Sequence, residues 1–253
     1  MELTWQMILT VCPLTFLAGF VDSVAGGGGL ISLPAYYLAG LPPVLAAGTN
    51  KLSACLGTVA ATGRFIVGKK VDFRAGLAAA LLAFPGSWMG TSLLKSIPEE
   101  TIRVMMIIAI PLVALVVLRK GGAIDANPLV EAKWTVPVSA AIGLVVGFYD
   151  GLVGPGTGTF LILLFTMILG MEGVTASGTA KVVNLASNLA SLSNLFLSGN
   201  VLVGLGLPAA ACAIAGNLLG AGMTMKRGTK FIRVMLLCVL ALLLAKMCYD
   251  VVS

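Results

Sequence analysis

Of the chain's 253 residues, 58% are hydrophobic and only 10% charged, with a mean hydropathy of +1.04. A soluble domain carries about a quarter of its residues charged, so this composition excludes one and leaves a polytopic helical membrane protein. The net charge of +6 does not point to nucleic acid, because the basic residues cluster in short loops, as cytoplasmic loops of membrane proteins do.

In chain order, the first half offers apolar segments at roughly 4–24, 29–41, 44–67, 73–95 and 100–118. The first follows Glu2 in place of a basic leader and reads as a retained helix, not a signal peptide. The second half offers segments at roughly 133–152, 158–170, 174–197, 201–224 and 230–250. Between them, Gly121-Gly122, Asp125, Asn127-Pro128 and Glu131 make the one long polar stretch. The expected division is a first transmembrane repeat over 1–120, a cytoplasmic linker over 121–132 and a second repeat over 133–253.

The halves share a pattern. Gly19-Phe20-Val21-Asp22 runs into Gly26-Gly27-Gly28-Gly29, and Gly147-Phe148-Tyr149-Asp150 runs into Gly154-Pro155-Gly156-Thr157-Gly158. Gly48-Thr49-Asn50-Lys51 answers Gly178-Thr179-Ala180-Lys181. Lys51, Gly86 and Ile102 each find an equivalent 130 residues on, at Lys181, Gly216 and Ile232. Such duplication is how many transporters build a central substrate site.

The second segment of each half is short. Thirteen residues span about 20 Å, against a hydrocarbon core of about 30 Å, so it either re-enters or crosses with help from the glycine loop before it. Irregular backbone at that depth is tolerated where protein covers it or a cavity meets it. Loop charge sets direction. Arg64, Lys69, Lys70 and Arg74 flank the third-to-fourth connection of the first half, whereas 194–204 carries no charge; Lys226, Arg227, Lys230 and Arg233 then crowd the next connection of the second half. Equivalent loops thus carry opposite positive-inside signals. The expected fold is all-α, with two inverted-topology repeats of five helical segments, discontinuous second helices and both termini outside. Re-entrant second segments, giving four crossings per half, are the alternative, and the loop charges oppose it.

Lysine at mid-bilayer costs about 2.5–3.5 kcal/mol on insertion scales, so Lys51 and Lys181 need a partner, water or substrate unless they snorkel. Lys181, Asn184, Asn188 and Ser191 share one helix face, as do Lys51, Cys55, Thr58 and Thr62. Asp22 and Asp150 stand just before the glycine loops, placed to pair with the lysines, to cap a helix start or to couple transport to protons. The glycine loops let backbone amides approach a bound group, and the short helices after them begin with partial positive charge that suits oxyanions. Gly86/Gly90 and Gly216/Gly220 read as helix-packing contacts. Histidine is absent, which removes the commonest proton shuttle and metal ligand. Cys12, Cys55, Cys212, Cys238 and Cys248 lack paired spacing. No metal, cofactor or enzymatic nucleophile is expected.

At these motifs the chain resembles the TauE/SafE family of sulfite-exporter-like transporters, most closely its YfcA-like branch. The residues that carry the resemblance are Gly19 to Leu30, Thr49-Asn50-Lys51-Leu52, Gly147 to Gly151 and Ala180-Lys181-Val182. It implies an inner-membrane permease for sulfur-containing anions such as sulfite, thiosulfate or sulfonates. The expected partners are a small anionic substrate and the lipid bilayer, with a homodimer compatible with the sequence and no nucleic acid. The expected substrate site comprises Gly26, Gly27, Gly28, Gly29, Thr49, Asn50, Lys51, Gly154, Gly156, Thr157, Gly158, Thr179, Lys181, Asn184 and Asn188, with Asp22 and Asp150 for proton coupling or charge pairing. A passive anion channel and a membrane scaffold without transport are the other readings. Asn50 against Ala180 breaks the symmetry, so the halves need not contribute equally.

Overall fold

Trp5 begins α1 (Trp5–Ala25) because Thr4 accepts a hydrogen bond from the Met7 amide at 3.4 Å, and Gly26, at φ 76°, ends it. There follow α2 (Gly29–Leu38), α3 (Pro43–Val67), α4 (Phe73–Leu94), a 3-10 turn (Ala132–Trp134), α5 (Thr135–Leu152), α6 (Thr157–Leu169), α7 (Gly173–Leu197) and α8 (Val203–Val252). This is a computed structural model, and it describes residues 3–98, 100–102, 104 and 128–252, with side chains of α8 described through 235 and at 237 and 238. Most of the expected fifth segment of the first half, at 100–118, and most of the linker lie outside the described residues. Every other expected segment falls within a few residues of an observed helix, and no strand occurs among the described residues.

Two boundaries differ from expectation. The second helix stops at Leu38, not near residue 41, since Gly40 turns left-handed at φ 83° and Pro42 follows. With ten residues, α2 reaches about 15 Å, still further short of the membrane thickness. The two final segments form one run, α8, broken at Gly228 by backbone angles of φ 71° and ψ −166°.

Among the described residues four helical stretches are long and apolar enough to cross a membrane: Trp5–Ala25, Phe73–Leu94, Ala132–Leu152 and Val203–Met235. Both α3 and α7 have 25 residues, about 37 Å, but are too polar to stand out by hydropathy. They carry Thr49, Asn50, Lys51 and Ser53, and Thr179, Lys181, Asn184 and Ser187, all buried. Polar groups in the bilayer face the protein interior, which places α3 and α7 at the centre. They pack against each other, α3 also against α8 and α7 against α4, while α1 lies along α8 and α4 along α5.

Glycine lets these helices close up. On α4 an added Cβ at Gly86 would stand 2.5 Å from the Leu144 carbonyl, and on α8 one at Gly216 would stand 2.0 Å from that of Phe16. These are the close helix contacts expected of small residues. Equivalent contacts recur between the halves: Thr49 Oγ1 accepts from the Leu202 amide at 3.0 Å and Thr179 Oγ1 from the Asp72 amide at 2.9 Å. The loops carrying those amides press on Gly48 and Gly178, where an added Cβ would come within 1.9 Å of the carbonyls of Asn200 and Lys70. Gly48→Ala or Gly178→Ala is therefore expected to cost about 1–3 kcal/mol through overpacking. Gly63→Ala, on the same helix with nothing within 4 Å, should melt like the parent. Thermal unfolding in detergent checks the contrast, and equal melting of all three variants would contradict it.

Candidate functional site

The two lysines are held by the opposite half of the chain. Lys51 Nζ donates to Asp150 Oδ2 at 2.6 Å and to Asn188 Oδ1 at 3.0 Å. Lys181 Nζ donates to Asp22 Oδ2 at 2.5 Å. Each lysine of α3 or α7 thus meets a carboxylate near the end of the other half's first helix, α5 or α1. A charge taken out of water is tolerable when paired and hydrogen-bonded, and this crossing supplies the partner. The four charges sum to zero.

Between the pairs lies a cavity of about 70 Å³, a scale suited to a small polyatomic ion with few waters. Its walls come from the end of α1 and start of α2, the end of α5 and start of α6, and the middles of α3, α7 and α8. The glycine loops meet here back to back: an added Cβ at Gly26 would lie 2.1 Å from the Gly158 carbonyl carbon. Thr159 Oγ1 ties them by donating to the Ala25 carbonyl at 2.8 Å. At φ 76° Gly26 also occupies the left-handed region, which any other residue adopts at a cost.

Thirteen of the expected residues border the cavity: Asp22, Gly26, Gly28, Gly29, Asn50, Lys51, Asp150, Gly154, Gly156, Thr157, Gly158, Asn184 and Asn188. Four do not. Thr49 and Thr179 spend both hydrogen-bonding capacities elsewhere, donating to the carbonyls of Leu45 and Thr175 and accepting from loop amides. The Gly27 carbonyl accepts from the Leu30 amide, starting α2. Lys181, with a side chain 1% exposed, is sealed behind Asp22. The polar stripe of α7 likewise divides, since Ser191 bonds to Ser87 and Thr91 of α4 at 2.7 and 2.8 Å, away from the cavity.

Asn50 borders the cavity, and its side-chain oxygen, itself buried, has no hydrogen-bond partner among the described residues. A buried polar group left unpaired costs about 1–3 kcal/mol. The expected list omitted Asn217, Ser53, Thr15 and Ser32, which also line the cavity. Asn217 is 2% exposed and accepts from Ser23 Oγ at 2.7 Å; a lone amide beside Gly216 in an apolar run was its sequence signal. Among the described residues no cluster of three or more metal-ligating side chains occurs.

Lys181→Met is expected to strand the Asp22 carboxylate and destabilise the protein by about 3 kcal/mol, the low end for breaking a buried pair, because Asp22 keeps some access to the cavity. Adding Asp22→Asn should restore most of that loss. Thermal unfolding of both variants checks it; a double variant no more stable than the single would mean that the pair does not form.

Comparison with known proteins finds relatives along nearly the whole chain. The sulfite exporter TauE/SafE family matches over residues 11–247. A "Probable membrane transporter protein" of Haemophilus influenzae is 36% identical over 253 residues, covering 99% of this chain and 98% of that one. The "Probable membrane transporter protein YfcA" of Escherichia coli is 33% identical over 257 residues, covering 98% and 94%. "Probable membrane transporter protein YunE" of Bacillus subtilis is 26% identical over 268 residues, covering 96% and 97%. No solved structure matches the chain. With four apolar spans among its described residues, the chain is a membrane protein, and it belongs to the sulfite exporter TauE/SafE family.

Proposed function

We propose that the protein is a secondary transporter for a small anion, a sulfur oxyanion or organosulfonate such as sulfite or thiosulfate, bound near the bilayer midplane between two inverted repeats. The observation that carries this reading is Lys51 at the wall of the cavity, beside the first turns of α2 and α6. The ammonium supplies charge. Amides around Gly28, Gly29, Thr157 and Gly158 begin helices whose dipoles favour an anion, and Asn50, Asn184 and Asn188 offer amides that turn N–H toward it.

Support for the repeats comes from the crossed ion pairs and the reciprocal contacts of Thr49 and Thr179. Opposite loop charges support a topology with both termini outside an inner membrane. Rocking of one repeat against the other would open the cavity to each side in turn. The family name supplies the sulfur oxyanion.

Purified protein in liposomes should exchange labelled sulfite, thiosulfate or methanesulfonate across the membrane with saturating kinetics. Lys51→Ala should insert normally yet lose at least tenfold in exchange. Melting temperature should also rise with the transported anion, by mass action on the folded state. Flux without saturation would indicate a channel. Absence of exchange and of any anion-dependent stabilisation, or full exchange by Lys51→Ala, would overturn the reading.

A further inference from the structure

The two ion pairs are equivalent by position and unequal in surroundings. Asp150 has a side chain 5% exposed; Lys51 holds its Oδ2, and the Thr157 hydroxyl covers Oδ1 at 2.8 Å. That hydroxyl also lies 2.7 Å from the Gly154 carbonyl, so its one proton serves either acceptor. The residue in the place of Thr157 in the first half is Gly29, which has no hydroxyl. Asp22 therefore has a side chain 20% exposed, borders the cavity and, among the described residues, receives no hydrogen bond at Oδ1. The lysines show the reverse inequality, since Lys51 borders the cavity and Lys181 does not. One pair borders the cavity with both its cation and its carboxylate, the other with its carboxylate alone.

That arrangement has an electrostatic consequence. Lys51, Asp150, Lys181 and Asp22 are the charged groups of the site, from α3, α5, α7 and α1, and α2, α6 and α8 add no ionisable side chain to the cavity lining. With all four charged the site is neutral: Asp150 already offsets Lys51, and an anion beside Lys51 also faces an ionised Asp22 across the cavity. A proton on Asp22 Oδ1 removes that repulsion and leaves Lys181 uncompensated. The site then carries one net positive charge, complementary to a single negative charge on the anion.

We propose that Asp22 is the coupling group, taking up one proton with each anion that binds at Lys51 and releasing it on the other side, so that anion and proton cross together. The inference rests on the anion-carrier reading above. In the step, a proton leaves bulk water for Asp22 Oδ1 as the anion enters, and both depart when the cavity opens opposite; no other bond is made or broken.

The test uses the full chain in liposomes with labelled sulfite, thiosulfate and methanesulfonate. Two rates are compared: exchange at equal pH, and uptake driven by an inward proton gradient. For the parent the gradient should raise uptake severalfold above exchange and drive accumulation. For Asp22→Asn that ratio should fall to one, whatever exchange remains. Where the variant retains too little exchange to measure, the parent decides, because a trapped pH dye should report proton entry with the anion. Parental exchange without gradient-driven accumulation or proton entry overturns the coupling and leaves the carrier intact, as does an Asp22→Asn variant that still accumulates anion. No parental exchange with any of the three anions overturns the carrier reading and the coupling with it.

Discussion

Two ammonium groups buried in the middle of a membrane protein constrain everything around them. An isolated ion moved from water into a medium of low dielectric costs several kcal/mol even after relaxation, so each lysine must end against a carboxylate. The nearest acid in the same half is not the one used. Lys51 reaches Asp150 and Lys181 reaches Asp22, so neither half is electrically complete alone. The ion pairs thereby become the clasp between halves, and the cavity is the space the clasp encloses.

Glycine makes the clasp geometrically attainable. The carboxylates stand four residues before Gly26 and Gly154, both in the left-handed region, where each first helix stops beside the cavity. The chain then restarts as a short helix whose first turn faces the cavity. A Cβ at Gly28 would sit 2.5 Å from that of Asp22, so the loop leaves room for the carboxylate as well as for the opposite loop. Unsatisfied backbone at this depth is tolerated only under protein cover, and the two loops cover each other.

Much of this was legible in the sequence, for identifiable reasons. Helix limits follow from proline, glycine and charge, so Pro42-Pro43, Gly68 and Asp72 mark them to within a residue or two. The lysines and aspartates stood out because charge is rare in apolar segments. Their crossed pairing did not, since 99 and 159 residues separate the partners and no local pattern encodes which acid a lysine meets. Thr49 and Thr179 misled for a related reason: they flank the lysine motif, yet one helical residue turns the side chain by about 100°, away from the cavity and onto a loop amide. Asn217 was hidden by its setting, one amide among small and apolar residues. Gly40 shortened α2 because the apolar run continues past the point at which the backbone turns.

The central claim is that the space between the crossed pairs receives a small anion, and it is tested most directly at Asn50, which borders that space. In a background with all five native cysteines replaced, Asn50→Cys would be labelled with a small thiol reagent from each side of the membrane, with and without sulfite, thiosulfate or methanesulfonate. The account predicts that labelling occurs and that a transported anion slows it severalfold. Labelling at the same rate whichever anion is present would contradict it.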